Sequence, residues 1–296
     1  MASESDYDPR ILNLYDGFVH GTLTRREFLD RAAAFTTAGV SAATILASLV
    51  PDYAKATQVS PSDPSISTGY KKYASPAGAG VMRGYYVRPA VIEHKLPGVV
   101  VVHENRGLNP YIEDVARRLA VAGFIAFAPD ALTPLGGYPG NDDAGRALQR
   151  QRDVAEMLED FVAAVDFLAK HPDCSGKVGA VGFCYGGGVV MRLAVRVPDL
   201  AASVAFYGRH PAAAEAAAIR ARLMLHHAEL DERVNASWPA FEKALNDAGL
   251  DYVNYLYEDV NHGFHNDTTP RYDEAAAKLA WQRTVAHFTR YLAGGD

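Results

Sequence analysis

The sequence predicts an α/β protein: a mostly parallel central sheet with helices on both faces, preceded by an N-terminal helical segment. Three observations carry that reading. Apolar runs of strand length alternate with stretches of helical spacing from residue 81 onward, the order that builds parallel sheets. One run, Val99-Val100-Val101-Val102, is continuously apolar, as in a strand buried on both faces. Of the 296 residues, 49% are hydrophobic and 22% charged, which is ordinary for a globular chain that buries a large core without staples.

Residues 1–56 read as a leader. Thr24-Arg25-Arg26-Glu27-Phe28-Leu29 resembles a twin-arginine export signal, small and apolar residues follow from 32 to 50, and Ala54-Lys55-Ala56 is an A-x-A-like cleavage site. Asp30 stands where that signal usually carries a basic residue, and Thr36, Thr37, Ser41, Thr44 and Ser48 make the apolar run a poor membrane span. The leader is therefore either a periplasmic export signal or a helical extension packed on a cytoplasmic protein, and no permanent membrane anchor is expected. Residues 57–79, rich in Pro, Ser, Gly and Asp, read as linker.

The main domain, residues 80–296, follows element by element. Residues 81–88 have the aromatic and β-branched character of a strand, and 98–103 hold the valine run. A helix over 112–122 stops at Gly123, and 124–128 is a second buried strand. Met157, Leu158, Phe161, Val165 and Leu168 mark a helix over 154–170, with Pro172 beyond it. Strands at 178–183, 201–207, 223–227 and 252–257 alternate with helices at 186–197, 238–248 and 274–292. The alanine-rich stretch 211–219 reads as a surface loop or short helix.

A formal net charge of −6 gives no basic footprint for nucleic acid. Two cysteines, Cys174 and Cys184, cannot build a disulfide framework, and neither C-x-x-C nor metal-ligand spacing occurs. Cys184 has a more specific context. Gly182-Phe183-Cys184-Tyr185-Gly186 is the G-x-S-x-G nucleophile elbow with sulfur for oxygen, between a strand and a helix. The helix N-terminus favours thiolate over thiol there. A phosphate loop would need Gly-Lys-Ser or Gly-Lys-Thr, which is absent.

A nucleophile needs a base, and the base an orienting acid. In α/β-hydrolases the chain order is nucleophile, acid, histidine. Asp231 lies on the loop after the strand at 223–227, with Glu229 and Glu232 as rival acids, and His262 follows the last strand within Asn261-His262-Gly263-Phe264. His103, His226 and His227 precede Asp231, and His265 lacks the Gly-Phe that follows His262.

Together these motifs resemble the dienelactone hydrolase family of the α/β-hydrolase fold, from about Gly80 to Leu292. The resemblance rests on the elbow Gly-Phe-Cys-Tyr-Gly-Gly-Gly, on Val-Val-Val-His-Glu-Asn-Arg-Gly-Leu-Asn, on Ala128-Pro129-Asp130, on the acid loop and on Asn-His-Gly-Phe. The leader with Gly137-Tyr138-Pro139-Gly140-Asn141-Asp142 is similar to one subgroup. The resemblance implies that Glu104 contacts the resting cysteine and helps switch it to thiolate. It also implies an oxyanion hole from the backbone N–H groups of Asn105 and Tyr185, the latter following from the elbow itself. Family lactonases hold a substrate carboxylate with arginines, but the matching position after the histidine is Asn266. Arg106, Arg146, Arg209, His265, Asn266 and Arg271 are the substrate-binding candidates.

The expected activity is acyl transfer on a small ester or lactone by Cys184, His262 and Asp231, with no metal or organic cofactor required. The competing readings are a general carboxylesterase or thioesterase, a non-catalytic binding protein, and a redox sensor using Cys184 with Cys174.

Overall fold

The computed structural model describes residues 7–36, 41–55 and 57–294. Among the described residues, the N-terminal segment holds three short α-helices, α1 (Pro9–Val19), α2 (Arg25–Ala32) and α3 (Ala42–Leu49). Each starts at a side chain that accepts first-turn N–H groups: Asp8, Thr24 and Ser41. Thr24 and Glu27 bond reciprocally as a capping box, so Thr-Arg-Arg-Glu acts here as a helix start. Ile11, Tyr15 and Val19 recur at helical intervals on α1 and meet Phe28, Ile45, Leu46 and Leu49 in a small core of their own. Among the described residues no helix is long and apolar enough to cross a membrane. Thr37 and Ala56, part of the export reading, lie outside the described residues.

The sheet begins earlier than the sequence suggested. Within the stretch read as linker, β1 (Ile66–Ser75) pairs antiparallel with β2 (Gly80–Pro89). The strand was hidden because it is an edge: Ile66, Tyr73 and Ser75 are its buried positions, and Lys71, Lys72 and Gly69 break the apolar pattern. Lysine on an edge strand is what prevents further pairing. Next come β3 (Leu96–Val102), α4 (Pro110–Val121), β4 (Ile125–Pro129), α5 (Asp142–Gln149) and α6 (Val154–Ala169). Then follow β5 (Cys174–Phe183), α7 (Tyr185–Arg196), β6 (Ala202–Phe206), β7 (Arg222–Ala228), α8 (Glu232–Asn235), α9 (Trp238–Asp247), β8 (Tyr252–Tyr257) and α10 (Glu274–Phe288).

The eight strands run in the order β1-β2-β4-β3-β5-β6-β7-β8. Pairing is parallel from β4 to β8 and antiparallel for β1 and β2. The valine run shows how the sheet is covered. Val99 and Val101 join the core under α4 and α10, while Val100 and Val102 join the core under α6, α7 and α9. A strand's two faces alternate, so a continuous apolar run serves both cores. All four valines are fully buried. The carboxyl ends of the parallel strands lie at one rim, the usual ligand crevice of such sheets. Cys184, Glu104, Asp231 and His262 follow β5, β3, β7 and β8 at that rim.

Candidate active site

Cys184 forms the corner between β5 and α7 with φ 56° and ψ −114°, a conformation costly for any residue with a Cβ. The glycines around it allow the corner to close. A Cβ on Gly182 would strike the Gly186 carbonyl, and one on Gly186 would lie 2.7 Å from the His103 oxygen and closer still to that of Val102. Cys184 occupies the N-cap of α7, where the dipole stabilises negative charge. Tyr185, as first helical residue, has an N–H without an intrahelical acceptor.

His262 Nδ1 donates to Asp231 Oδ2 at 2.5 Å. Asp231 is the N-cap of α8 and also accepts from the Val234 N–H, which fixes the carboxylate's orientation. Burial pushes the His262 imidazolium down, but Asp231 and Cys184 overcome it and hold its pKa at about 10. Burial pushes the Cys184 thiol up, but two histidines pull it well below the ordinary cysteine value. His262 Nε2 is buried and has no hydrogen-bond partner, leaving it available to a reacting group. The other histidines serve the scaffold. His226 bonds Tyr257 and Thr284, His227 bonds Asn254 and His210, and His103 bonds the Glu104 carbonyl and the Ala131 N–H.

The second histidine at the sulfur is His20, which the sequence reading did not select. Its Nε2 lies 3.2 Å from Cys184 Sγ, and its ring meets His262 edge-on at 4.8 Å. His20 Nδ1 donates to the Asp16 carbonyl at 2.9 Å and sits 3.1 Å from Asp16 Oδ1. Ligating atoms of His20, Cys184 and His262 all fall within 4.8 Å of one another. In both histidines the other ring nitrogen, Nδ1, faces a carboxylate. Arg233 spans the group, with Nη2 3.2 Å from His20 Nε2 and 3.3 Å from His262 Nδ1, and Nε 3.3 Å from Asp16 Oδ2.

Glu104 is buried. Its Oε2 accepts from Asn266 Nδ2 at 3.1 Å and faces Arg106 Nη2 at 3.4 Å. Burial raises its pKa, with Arg106 opposing and Cys184 adding to the rise. The hydrogen-bond partner of Sγ is thus His20, while Glu104 is tied to Arg106 and Asn266. The Asn105 side chain donates to the Val19 carbonyl at 2.6 Å, binding the loop after β3 to α1.

The substrate-binding candidates divide. Arg106 is buried and pairs with Asp142 at 2.7 Å, and Arg146 is buried against Asp143 and the Phe18 ring. His265 is buried among aromatic rings and bonds the Tyr111 hydroxyl at 2.6 Å; it lines a separate cavity with Trp281. Asn266 serves Glu104 and the Thr268 turn, and Arg209 is exposed. Of the six, Arg271 alone lines the cavity beside His262 and Asp231. That cavity measures about 650 Å³, and Leu12, Asn13 and Asp16 of α1 form one wall. Cys174 opens the ten-residue β5, Cys184 follows its last residue, and both are free thiols. Ten residues of strand span roughly 30 Å, so the expected Cys184–Cys174 redox pair is sterically excluded.

Residues 82–292 match the dienelactone hydrolase family. The chain belongs to that family. Residues 2–36 separately match a family described as YqhI-like, which sets the α1–α2 segment apart from the hydrolase domain. The chain is 65% identical over 105 residues to the Escherichia coli (strain K12) protein named "Putative hydrolase fragment YghX", covering 36% of this chain and 90% of that one. It is 31% identical over 251 residues to a Salmonella typhi protein named "Putative carboxymethylenebutenolidase", covering 79% and 92%. Among solved structures it resembles the dienelactone hydrolase-like promiscuous phosphotriesterase P91 from metagenomic libraries at 25% identity and TM-score 0.67, covering 77% of this chain and 99% of that one. The chain is thus a dienelactone hydrolase-type enzyme of the α/β-hydrolase fold.

Proposed function

We propose that this hydrolase cleaves carboxylic ester or lactone bonds by acyl transfer through Cys184, His262 and Asp231. The observation that carries the reading is convergence: a cysteine at a strained elbow on a helix N-terminus, beside a buried histidine whose far nitrogen is held by an aspartate at 2.5 Å. The Cys184 thiolate attacks the carbonyl carbon. The backbone N–H groups of Tyr185 and Asn105 receive the oxyanion, an effect worth about 3–4 kcal/mol per donor. His262 protonates the leaving alkoxide and then activates the water that releases the acid product. A thioester intermediate favours cyclic or activated esters over simple ones. No step needs a metal or organic cofactor. Arg271 is the substrate-binding candidate, because it lines the cavity with His262.

The test is hydrolysis of a panel of lactones and p-nitrophenyl esters by the full chain and by Cys184→Ala. Loss of turnover in the variant is expected. Full activity in Cys184→Ala would overturn the reading, and a preference for thioesters would move it to the thioesterase alternative.

For residues 1–56 the packed extension is favoured over removal as a twin-arginine signal. Arg25, the first arginine of that signal, pairs with Asp143 of the main domain at 3.2 Å, and Asp16 pairs with Arg233. Mass spectrometry of cell fractions should find the full-length chain in the cytoplasm. A periplasmic chain beginning at Thr57 would refute this.

A further inference from the structure

We propose that His20, backed by Asp16, is a second proton acceptor for Cys184 and holds the nucleophile as a thiolate in the resting enzyme. The inference rests on the reading of Cys184 as nucleophile. It also makes the N-terminal extension part of the catalytic centre.

The ring's hydrogen bonds fix its tautomer. His20 Nδ1 faces the Asp16 carbonyl at 2.9 Å and an Asp16 carboxylate oxygen at 3.1 Å. Both atoms only accept, so Nδ1 carries a hydrogen. The remaining basic nitrogen, Nε2, is the one 3.2 Å from Sγ. The Asp16–His20 pair repeats the Asp231–His262 pair beside the same sulfur. In the resting transfer the S–H bond breaks, its electron pair stays on sulfur, and the proton forms the Nε2–H bond. The product is a thiolate–imidazolium pair with unchanged net charge. His262 is then free to serve the leaving group.

Helix geometry favours that ion pair at both ends. Residues 16 and 20 lie one turn apart on the same face of α1. His20 is the C-cap of α1, where cations are stabilised, and Cys184 is the N-cap of α7, where anions are. The charged and titratable groups facing the pair are Asp16, Arg233, Asp231, His262, Glu104, Tyr207 and Arg271. Arg233 opposes charging of the ring while favouring the thiolate, and Asp16 and Asp231 offset its charge. Removing residues 1–56 by cleavage after Ala56 would delete the pair, so the inference requires the extension to stay.

The experiment is a pH titration of thiolate ultraviolet absorbance in the full-length protein, with Cys184→Ala subtracted as baseline, for wild type, His20→Gln, His20→Ala and Asp16→Asn. Wild type should titrate well below the ordinary cysteine range. Both His20 variants should move the midpoint up by at least about one unit, a tenfold loss of thiolate on the acid side. Asp16→Asn should move it in the same direction by less. A His20→Gln midpoint equal to a low wild-type midpoint would overturn the inference and leave Cys184 as a nucleophile served by His262 alone. A shift in His20→Ala without one in His20→Gln would reduce His20 to packing and likewise overturn it. An ordinary thiol titration in wild type would overturn this inference alone, because the nucleophile reading is tested separately by turnover in Cys184→Ala.

Discussion

Gly186→Ala should damage catalysis far more than folding, and the structure gives the size of both effects. The new Cβ would sit 2.7 Å from the His103 carbonyl oxygen and closer to that of Val102, whereas ordinary contact begins at 3.4 Å. These are backbone atoms at the end of β3, so no side chain can swing aside. The first turn of α7 must therefore part from β3 by about 1 Å, a form of overpacking that costs about 1–3 kcal/mol. In a chain of this size that lowers Tm by about 2–4 °C per kcal/mol. The same displacement carries Cys184 and the Tyr185 N–H away from Asn105, which follows β3. A misplacement of about 1 Å typically costs a factor of about 100 in rate. Thermal denaturation and kcat/KM on an activated lactone should thus diverge, with modest loss in the first and severe loss in the second. Gly188→Ala is the control. Its Cβ would meet the Arg209 carbonyl at 3.3 Å, a loop that can yield slightly, and alanine gains up to about 1 kcal/mol in helix propensity. Near-wild-type kcat/KM in Gly186→Ala, or equal damage in Gly188→Ala, would refute the close approach of β3 and α7 as the device that sets the oxyanion geometry.

Asp231→Asn should lower kcat/KM by about 10³–10⁴-fold. Because burial already disfavours the His262 imidazolium and Asp231 with Cys184 holds its pKa at about 10, the ring-proton NMR titration should also move to lower pH; an unmoved midpoint would contradict the pairing. Asp142→Ala should destabilise the fold by about 3–5 kcal/mol. It strips the buried Arg106 of its 2.7 Å partner and leaves the Tyr53 and Tyr138 hydroxyls without their shared acceptor, and urea unfolding would measure the loss. Peroxide should oxidise Cys184 without forming a Cys174–Cys184 disulfide, and Cys174→Ser should leave the oxidation pattern unchanged. A disulfide-linked peptide in non-reducing mass spectrometry would refute the separation along β5.

The parts of the protein legible in the sequence are those whose signals are local. The valine run announced a strand buried on both sides because each face contributes to a different core. The glycines flanking Cys184 announced the elbow because their missing side chains are what let β3, β5 and α7 meet. Strand β1 was missed because an edge strand draws its stability from backbone pairing with β2 rather than from apolar side chains. The arginines were misjudged for a related reason. Arg106 and Arg146 looked available in sequence, but their neutralising partners, Asp142 and Asp143, act across or along the helix α5 that the sequence did not reveal.

His20 was illegible for the strongest version of that reason: it meets Cys184 across 164 residues, and nothing local says where α1 docks. Its one local mark was an aspartate four residues earlier, on the same face at the end of a helix. With it in place, the departures from the family pattern become connected. Asn266 stands where the family resemblance implies a carboxylate-binding arginine, and its amide ties Glu104. Arg106 holds the same carboxylate from another side. One Glu104 oxygen is thereby held by Asn266 and Arg106. The hydrogen bond at Sγ comes from an imidazole outside the hydrolase domain, and α1 also supplies a wall of the cavity beside His262 and Asp231. Each substitution is unremarkable alone. On the proposal for His20, they act together to move control of the nucleophile from the rim of the sheet to the N-terminal extension.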